Sequence, residues 1–179
     1  MFEGWDNFFL LLGSASAALI GLLFIVTTLA SSLRVGSETM ARGAALYMTP
    51  TLFHYTTVLV MSALATVPGL TGGVMAAVLG PWSLAGVGYC AVMAVLVRSR
   101  RLPDSGTWTD ALTYGVLPGL IYLGLIAGAW SAARGAANAP YAIAIGLTVL
   151  IILGIRNAWD LITFIAPRSV GDAAGEGQK

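Results

Sequence analysis

Five stretches of this chain, residues 8–33, 44–68, 73–97, 111–133 and 140–166, are apolar over at least the roughly 20 residues a helix needs to cross a bilayer's hydrocarbon core. The only His, Lys, Arg, Asp or Glu side chains inside them are His54, Arg156 and Asp160. Lipid offers no hydrogen-bond partners, so a backbone inside it must pair its own N–H and C=O groups. The runs are too long for barrel strands and show no alternation of period two. Each is therefore predicted to be a helix. The fold class that follows is all-α: a polytopic membrane helix bundle of about five transmembrane helices over residues 1–168, with 169–179 as a disordered cytoplasmic tail. The links 69–72 and 134–139 are short enough to make antiparallel hairpins.

Composition points the same way. Only 9% of the residues are charged, 58% are hydrophobic, and mean hydropathy is +0.85. A soluble domain carries about 25% charged residues, so this chain could not cover a globule with polar surface. Its 9 basic and 8 acidic side chains balance to +1, which denies it the basic face of a nucleic-acid binder. One cysteine cannot form a disulfide framework, and one histidine cannot make a multi-His metal site within a single chain. No metal and no cofactor is expected. The acidic start, Met1 to Asn7, lacks the basic region of a signal peptide. The first run is read as a retained span.

Orientation follows from basic residues in short loops. With five spans, Arg34, Arg42, Arg98, Arg100, Arg101, Arg168 and Lys179 fall on one side, and Arg134 alone falls on the other. The expectation is a membrane protein with its N-terminus out and its C-terminus cytoplasmic. Arg98, Arg100 and Arg101 are candidate lipid-headgroup contacts. Trp5 and Trp130 sit at predicted outer ends, Trp108 and Trp159 at inner ones, as interface anchors do.

Small residues recur at helical spacing. Gly13, Ala17 and Gly21 share one face of the first span, and the fourth carries Gly115 with Gly119 and Gly124 with Gly128. Such spacing lets helix backbones approach closely. Either packing within one chain or a homo-oligomer contact would use it. Gly80–Pro81 is expected to break the third span, and Pro118 to bend the fourth, because proline removes one intrahelical donor. Pro50 stands similarly in the second.

Two places carry polar chemistry at membrane depth. His54 lies near the middle of the second span, with Thr51 and Thr57 on adjoining positions of its face and Tyr55 next in sequence. Tyr89 and Tyr122 sit mid-span elsewhere. An imidazole there can relay protons, gate by charging, or serve as a neutral hydrogen-bonded link between helices. Arg156 and Asp160 are four residues apart in the last span, with Asn157 beside them, so they share a helix face. One reading has Arg156 snorkelling to headgroups beside the anchor Trp159. The other has an ion pair lining a cytoplasmic vestibule. No catalytic set is recognisable: no paired intramembrane acids, no Ser-His or Ser-Lys pair, and no phosphate-binding loop. Enzymatic activity is not expected.

The segments Gly13-Ser14-Ala15-Ser16-Ala17-Ala18-Leu19-Ile20-Gly21-Leu22-Leu23-Phe24 and Gly154-Ile155-Arg156-Asn157-Ala158-Trp159-Asp160 resemble those of small bacterial multi-pass inner-membrane proteins of uncharacterised activity. The resemblance covers the two end spans. It implies a bacterial membrane setting and no particular chemistry. Two functions follow from the residues themselves. One is an oligomeric pore or carrier for an ion or small solute, with His54 near the constriction. The other is a non-catalytic partner that packs with other membrane proteins through its Gly/Ala faces.

Overall fold

A computed structural model describes residues 1–32, 38–98 and 112–176, with side chains for 1–28, 48–96 and 112–160. Arg34, Arg100, Arg101, Trp108 and Lys179 lie outside the described residues, as do the side chains of Arg42, Arg98 and Arg168. Among the described residues there are five α-helices: α1 (Asp6–Ser32), α2 (Glu38–Ala65), α3 (Gly72–Arg98), α4 (Leu117–Ala133) and α5 (Ala139–Glu176). There is no strand among the described residues. A wide π-helical turn, Leu112–Val116, leads into α4.

Helix ends fall where local chemistry puts them. Asp6 stands in the first turn of α1, where free N–H groups favour negative charge. Pro68 and Gly69, the latter at φ +71°, end the α2 segment. Thr71 opens α3 by accepting a hydrogen bond from the Val74 N–H at 3.3 Å. At the end of α4, Gly135 takes the left-handed conformation at φ +70°. Its N–H donates to the Ala132 carbonyl, and that of Ala136 donates to Ser131, each at 3.0 Å. This paired closure satisfies carbonyls that the helix end would otherwise leave bare. The chain then reverses straight into α5.

Among the described residues, four helices are long and apolar enough to cross a membrane: α1, α3, α4 with its leading turn, and α5. As long as these, α2 is less apolar because Thr51, His54, Thr57 and Ser62 lie along it, and all four are buried. The molecule thus buries polar side chains within an apolar core while its outer surface is apolar as well. Buried polar side chains include Ser16, Ser83, Thr113 and Asn157 as well as those of α2. Exposed side chains include Leu11, Phe24, Leu84, Val95, Ile145 and Ile152. Water would not tolerate that outer belt; lipid requires it.

The helix order in space places α2 and α5 in the middle. Helix α1 packs on α2 and touches α5 on one flank, while α3 and α4 pair closely on the other. Missing side chains make the close approaches. A Cβ at Gly13 would stand 3.1 Å from Ser62 of α2, and one at Gly115 would stand 2.5 Å from Ala94 of α3. Gly119 lies against Cys90, and Gly128 against Ile143 of α5. These four serve packing within the chain. Ala17, Gly21 and Gly124 are exposed, and no neighbour lies within 4 Å of a Cβ built at Gly21 or Gly124.

Two sequence expectations are corrected here. Helix α3 runs unbroken through Pro81. That residue lies on the exposed face, so its ring meets no packed neighbour helix and the helix loses a single hydrogen bond. In addition, α5 continues as helix to Glu176, across residues assigned to a disordered tail. At Pro118 the effect is a widened turn: the ring cannot donate to the carbonyl four residues back, that of Tyr114, which lies within the π-helical segment.

Candidate buried polar site

His54 is fully buried at the centre of the bundle. Helix α2 points it at Tyr122 of α4, with His54 Nδ1 and Tyr122 Oη 3.1 Å apart. The Tyr122 hydroxyl also lies 3.0 Å from Thr57 Oγ1, one turn further along α2. Trp82 of α3 reaches the same threonine oxygen through its indole N–H at 2.9 Å. Three helices are thereby joined through one hydroxyl. Gly86 makes this possible, since a Cβ there would stand 2.7 Å from the Tyr122 ring. Phe53 closes the side of the cluster, stacked on Trp82 with ring centroids 6.1 Å apart and planes at 4°.

One assignment of protons uses every donor in the cluster. Thr57 donates its one hydroxyl proton to the Phe53 carbonyl at 2.8 Å. It therefore accepts from both Trp82 and Tyr122, using its two lone pairs. Tyr122 spends its proton on Thr57, so the remaining contact requires His54 to donate from Nδ1–H. The opposite tautomer would leave a buried N–H at Nε2 without a partner, the rarer and costlier kind of orphan. In the assigned tautomer, Nε2 carries a bare lone pair, and it has no partner in the structure.

Other polar atoms are left in the same condition. Both Oδ1 and Nδ2 of Asn157 are buried without a partner, as are the hydroxyls of Tyr55, Ser62 and Ser83. Gly154 of α5 lies directly against the Tyr55 ring, where a Cβ would stand 2.5 Å from Cε1. Asn157 is three residues beyond Gly154, or roughly 4.5 Å along α5. Because α2 and α5 pack side by side and antiparallel, that depth corresponds to Leu52 and Thr51 on α2, one turn from Tyr55. Thr51 is itself buried and hydrogen-bonded or otherwise engaged.

The sequence-predicted residues divide accordingly. Thr51, His54, Tyr55, Thr57 and Asn157 are all buried on the central helices. Arg156 is exposed, on the same outer stripe as Ile152 and Trp159, and Asp160 is half-buried. Arg156 is therefore an outward-facing side chain, apart from the buried Asn157 beside it. Tyr89, in ring contact with Phe53 at 5.4 Å, borders the cluster. Trp82 and Phe53 are members that sequence reasoning missed; Trp82 lies 25 residues from Thr57. No helical spacing could link them before the α2–α3 turn was known.

Toward the other end of α2, Val58 and Met61 are wholly buried and Ala65 is 2% exposed. They fill the face beyond His54 with apolar atoms. A cleft of about 370 Å³ lies past them, lined by Phe2, Glu3, Asp6, Ala65 and Leu70. Its floor at Ala65 is roughly 16 Å along the helix from His54. Cys90 is a buried free thiol against Gly119. Among the described residues, no group of three His, Cys, Asp or Glu could hold a metal ion. No protein-family model, no curated protein and no solved structure matches this chain, so its chemistry is read from its own residues.

Proposed function

We propose that the protein is a five-span, bacterial inner-membrane carrier, N-terminus out and C-terminus cytoplasmic, that moves an ion or small solute through the middle of its bundle. One observation supports this above the rest: His54 Nε2 and both amide atoms of Asn157 are buried at membrane depth without partners. A helix bundle serving only as a scaffold gains nothing from such atoms, because each costs about 1–3 kcal/mol of desolvation. They are explained if a transported species pairs with them. The apolar closure at Val58 and Met61 favours a carrier with an occluded site over an open pore. Seven basic residues on one side against one on the other support the orientation.

A second reading has its own observation. Ser14, Ala17, Ala18 and Gly21 form an exposed small-residue face on α1. It suits close contact with another helix, from a second copy of the chain or from a different membrane protein. Flux measurements on purified protein in liposomes separate the two. Protein-dependent uptake of an ion or neutral solute supports the carrier. Lack of flux across a panel of both classes transfers the argument to the partner reading.

A further inference from the structure

Resting on that carrier reading, we infer that the species taken up is a small neutral molecule bearing hydrogen-bond donors, held between Nε2 of His54 and the carboxamide of Asn157.

The chemistry of the two groups defines the ligand. The hydrogen-bond chain Trp82 to Thr57, Tyr122 to Thr57 and His54 to Tyr122 uses every donor it contains, leaving Nε2 as an acceptor only. What satisfies it must bring an N–H or O–H. Asn157 offers an acceptor at Oδ1 and donors at Nδ2, so a molecule with both functions can satisfy all three atoms. Charge argues for neutrality. The buried polar residues of the described interior are Ser, Thr, His and Asn, with no Asp, Glu, Lys or Arg among them. An ion placed there would lack a countercharge in a low-dielectric interior, where unpaired charge is far costlier than an unpaired dipole.

Placement agrees. Asn157 and His54 lie on the two central helices, within about one helical turn of the same depth by the Gly154–Tyr55 contact. Pro118 and Tyr122 of α4 are buried on the third side. Val58 and Met61 seal the face beyond.

The chain's single histidine makes the test direct. Full-length protein carrying ¹⁵N-histidine is placed in phospholipid bilayers, and both ring nitrogens are followed by NMR. Urea and glycerol serve as donor-bearing probes, and dimethyl sulfoxide as an acceptor-only molecule of similar size. The inference expects Nδ1 protonated and Nε2 bare. Urea or glycerol should then move Nε2 saturably while dimethyl sulfoxide does not. Asn157→Leu should weaken the saturable response about tenfold, the loss of roughly one hydrogen bond's worth of affinity. Should that variant not fold, the contrast between urea and dimethyl sulfoxide on the wild type still decides.

Three results would overturn the inference: an Nε2-protonated tautomer, an Nε2 signal indifferent to both donor probes, or one paired to a water that neither probe displaces. Failure of the carrier reading looks different. A saturable Nε2 response without solute flux keeps the site and rejects transport. Flux that Asn157→Leu leaves unchanged, with no Nε2 response, keeps transport and rejects this site.

Discussion

Tyr122 ties α4 to α2, because its hydroxyl links His54 to Thr57, a threonine that Trp82 of α3 also contacts. Tyr122→Phe keeps the ring against Gly86 but strands the Nδ1–H of His54 and one lone pair of Thr57. It should cost about 1–3 kcal/mol, read as a lowered unfolding midpoint in detergent. An unchanged midpoint would show that the network does not hold as described. Glycines give a paired comparison. Gly154→Ala drives a methyl group into the Tyr55 ring and should destabilise by about 1–3 kcal/mol. Gly21→Ala meets open space in mid-helix, so it should be neutral or stabilising by up to about 1 kcal/mol. If Gly154→Ala costs no more than Gly21→Ala, the α2–α5 contact is misplaced.

These residues also mark what could be read in the chain and what could not. His54 with Thr51 and Thr57 was legible, because a lone imidazole flanked by hydroxyls at helical spacing stands out in an apolar run. Asn157 was legible as a neighbour of Arg156, although its environment is the opposite of that residue's: one is buried and the other exposed. Periodicity gives a face but not its partner. For the same reason Gly154 and Gly86 carried no signal as tyrosine seats, and Gly13 could not be told from Gly21. The first packs on Ser62 and the second faces outward, yet both belong to one repeating small-residue pattern.

At the scale of elements, α1 is the helix with least buried inside the chain. Only 22% of its most apolar window is buried, against 50% for α5. Its outer face is the surface on which an oligomer or a partner helix would pack. Ala17→Leu with Gly21→Leu should lower the mass of the detergent-solubilised species while leaving the unfolding midpoint nearly unchanged. Gly13→Leu should instead destabilise the protein itself, since it forces α1 off Ser62. A wild type that runs as a monomer in mild detergent would remove the homo-oligomer. The apolar runs made all five helices legible. The overrun of α5 was not, because a Gly-rich polar sequence weakens helix propensity and the helix continues through it. Continuity through Pro81 was missed for a related reason: a proline on an exposed face loses one bond without meeting a neighbour.

For the molecule as a whole, an apolar exterior encloses a mainly apolar core in which the polar side chains of α2 and α5 are buried, and the basic residues gather on one side of the predicted spans. Orientation has a direct check: Pro103→Cys should be labelled by a membrane-impermeant reagent only after the cytoplasmic side is opened, and Val67→Cys from outside intact cells. The reverse pattern would invert the topology.

The central claim is that the buried polar groups of α2 and α5 serve a transported neutral solute. Stopped-flow light scattering on proteoliposomes tests it most directly, with urea or glycerol gradients imposed on wild-type protein and on Asn157→Leu. Protein-dependent solute entry should saturate with concentration in the wild type and fall about tenfold in the variant, even where the variant is as stable as the wild type or more so. Wild-type vesicles no more permeable than protein-free ones would contradict it, as would a variant that transports as well as the wild type.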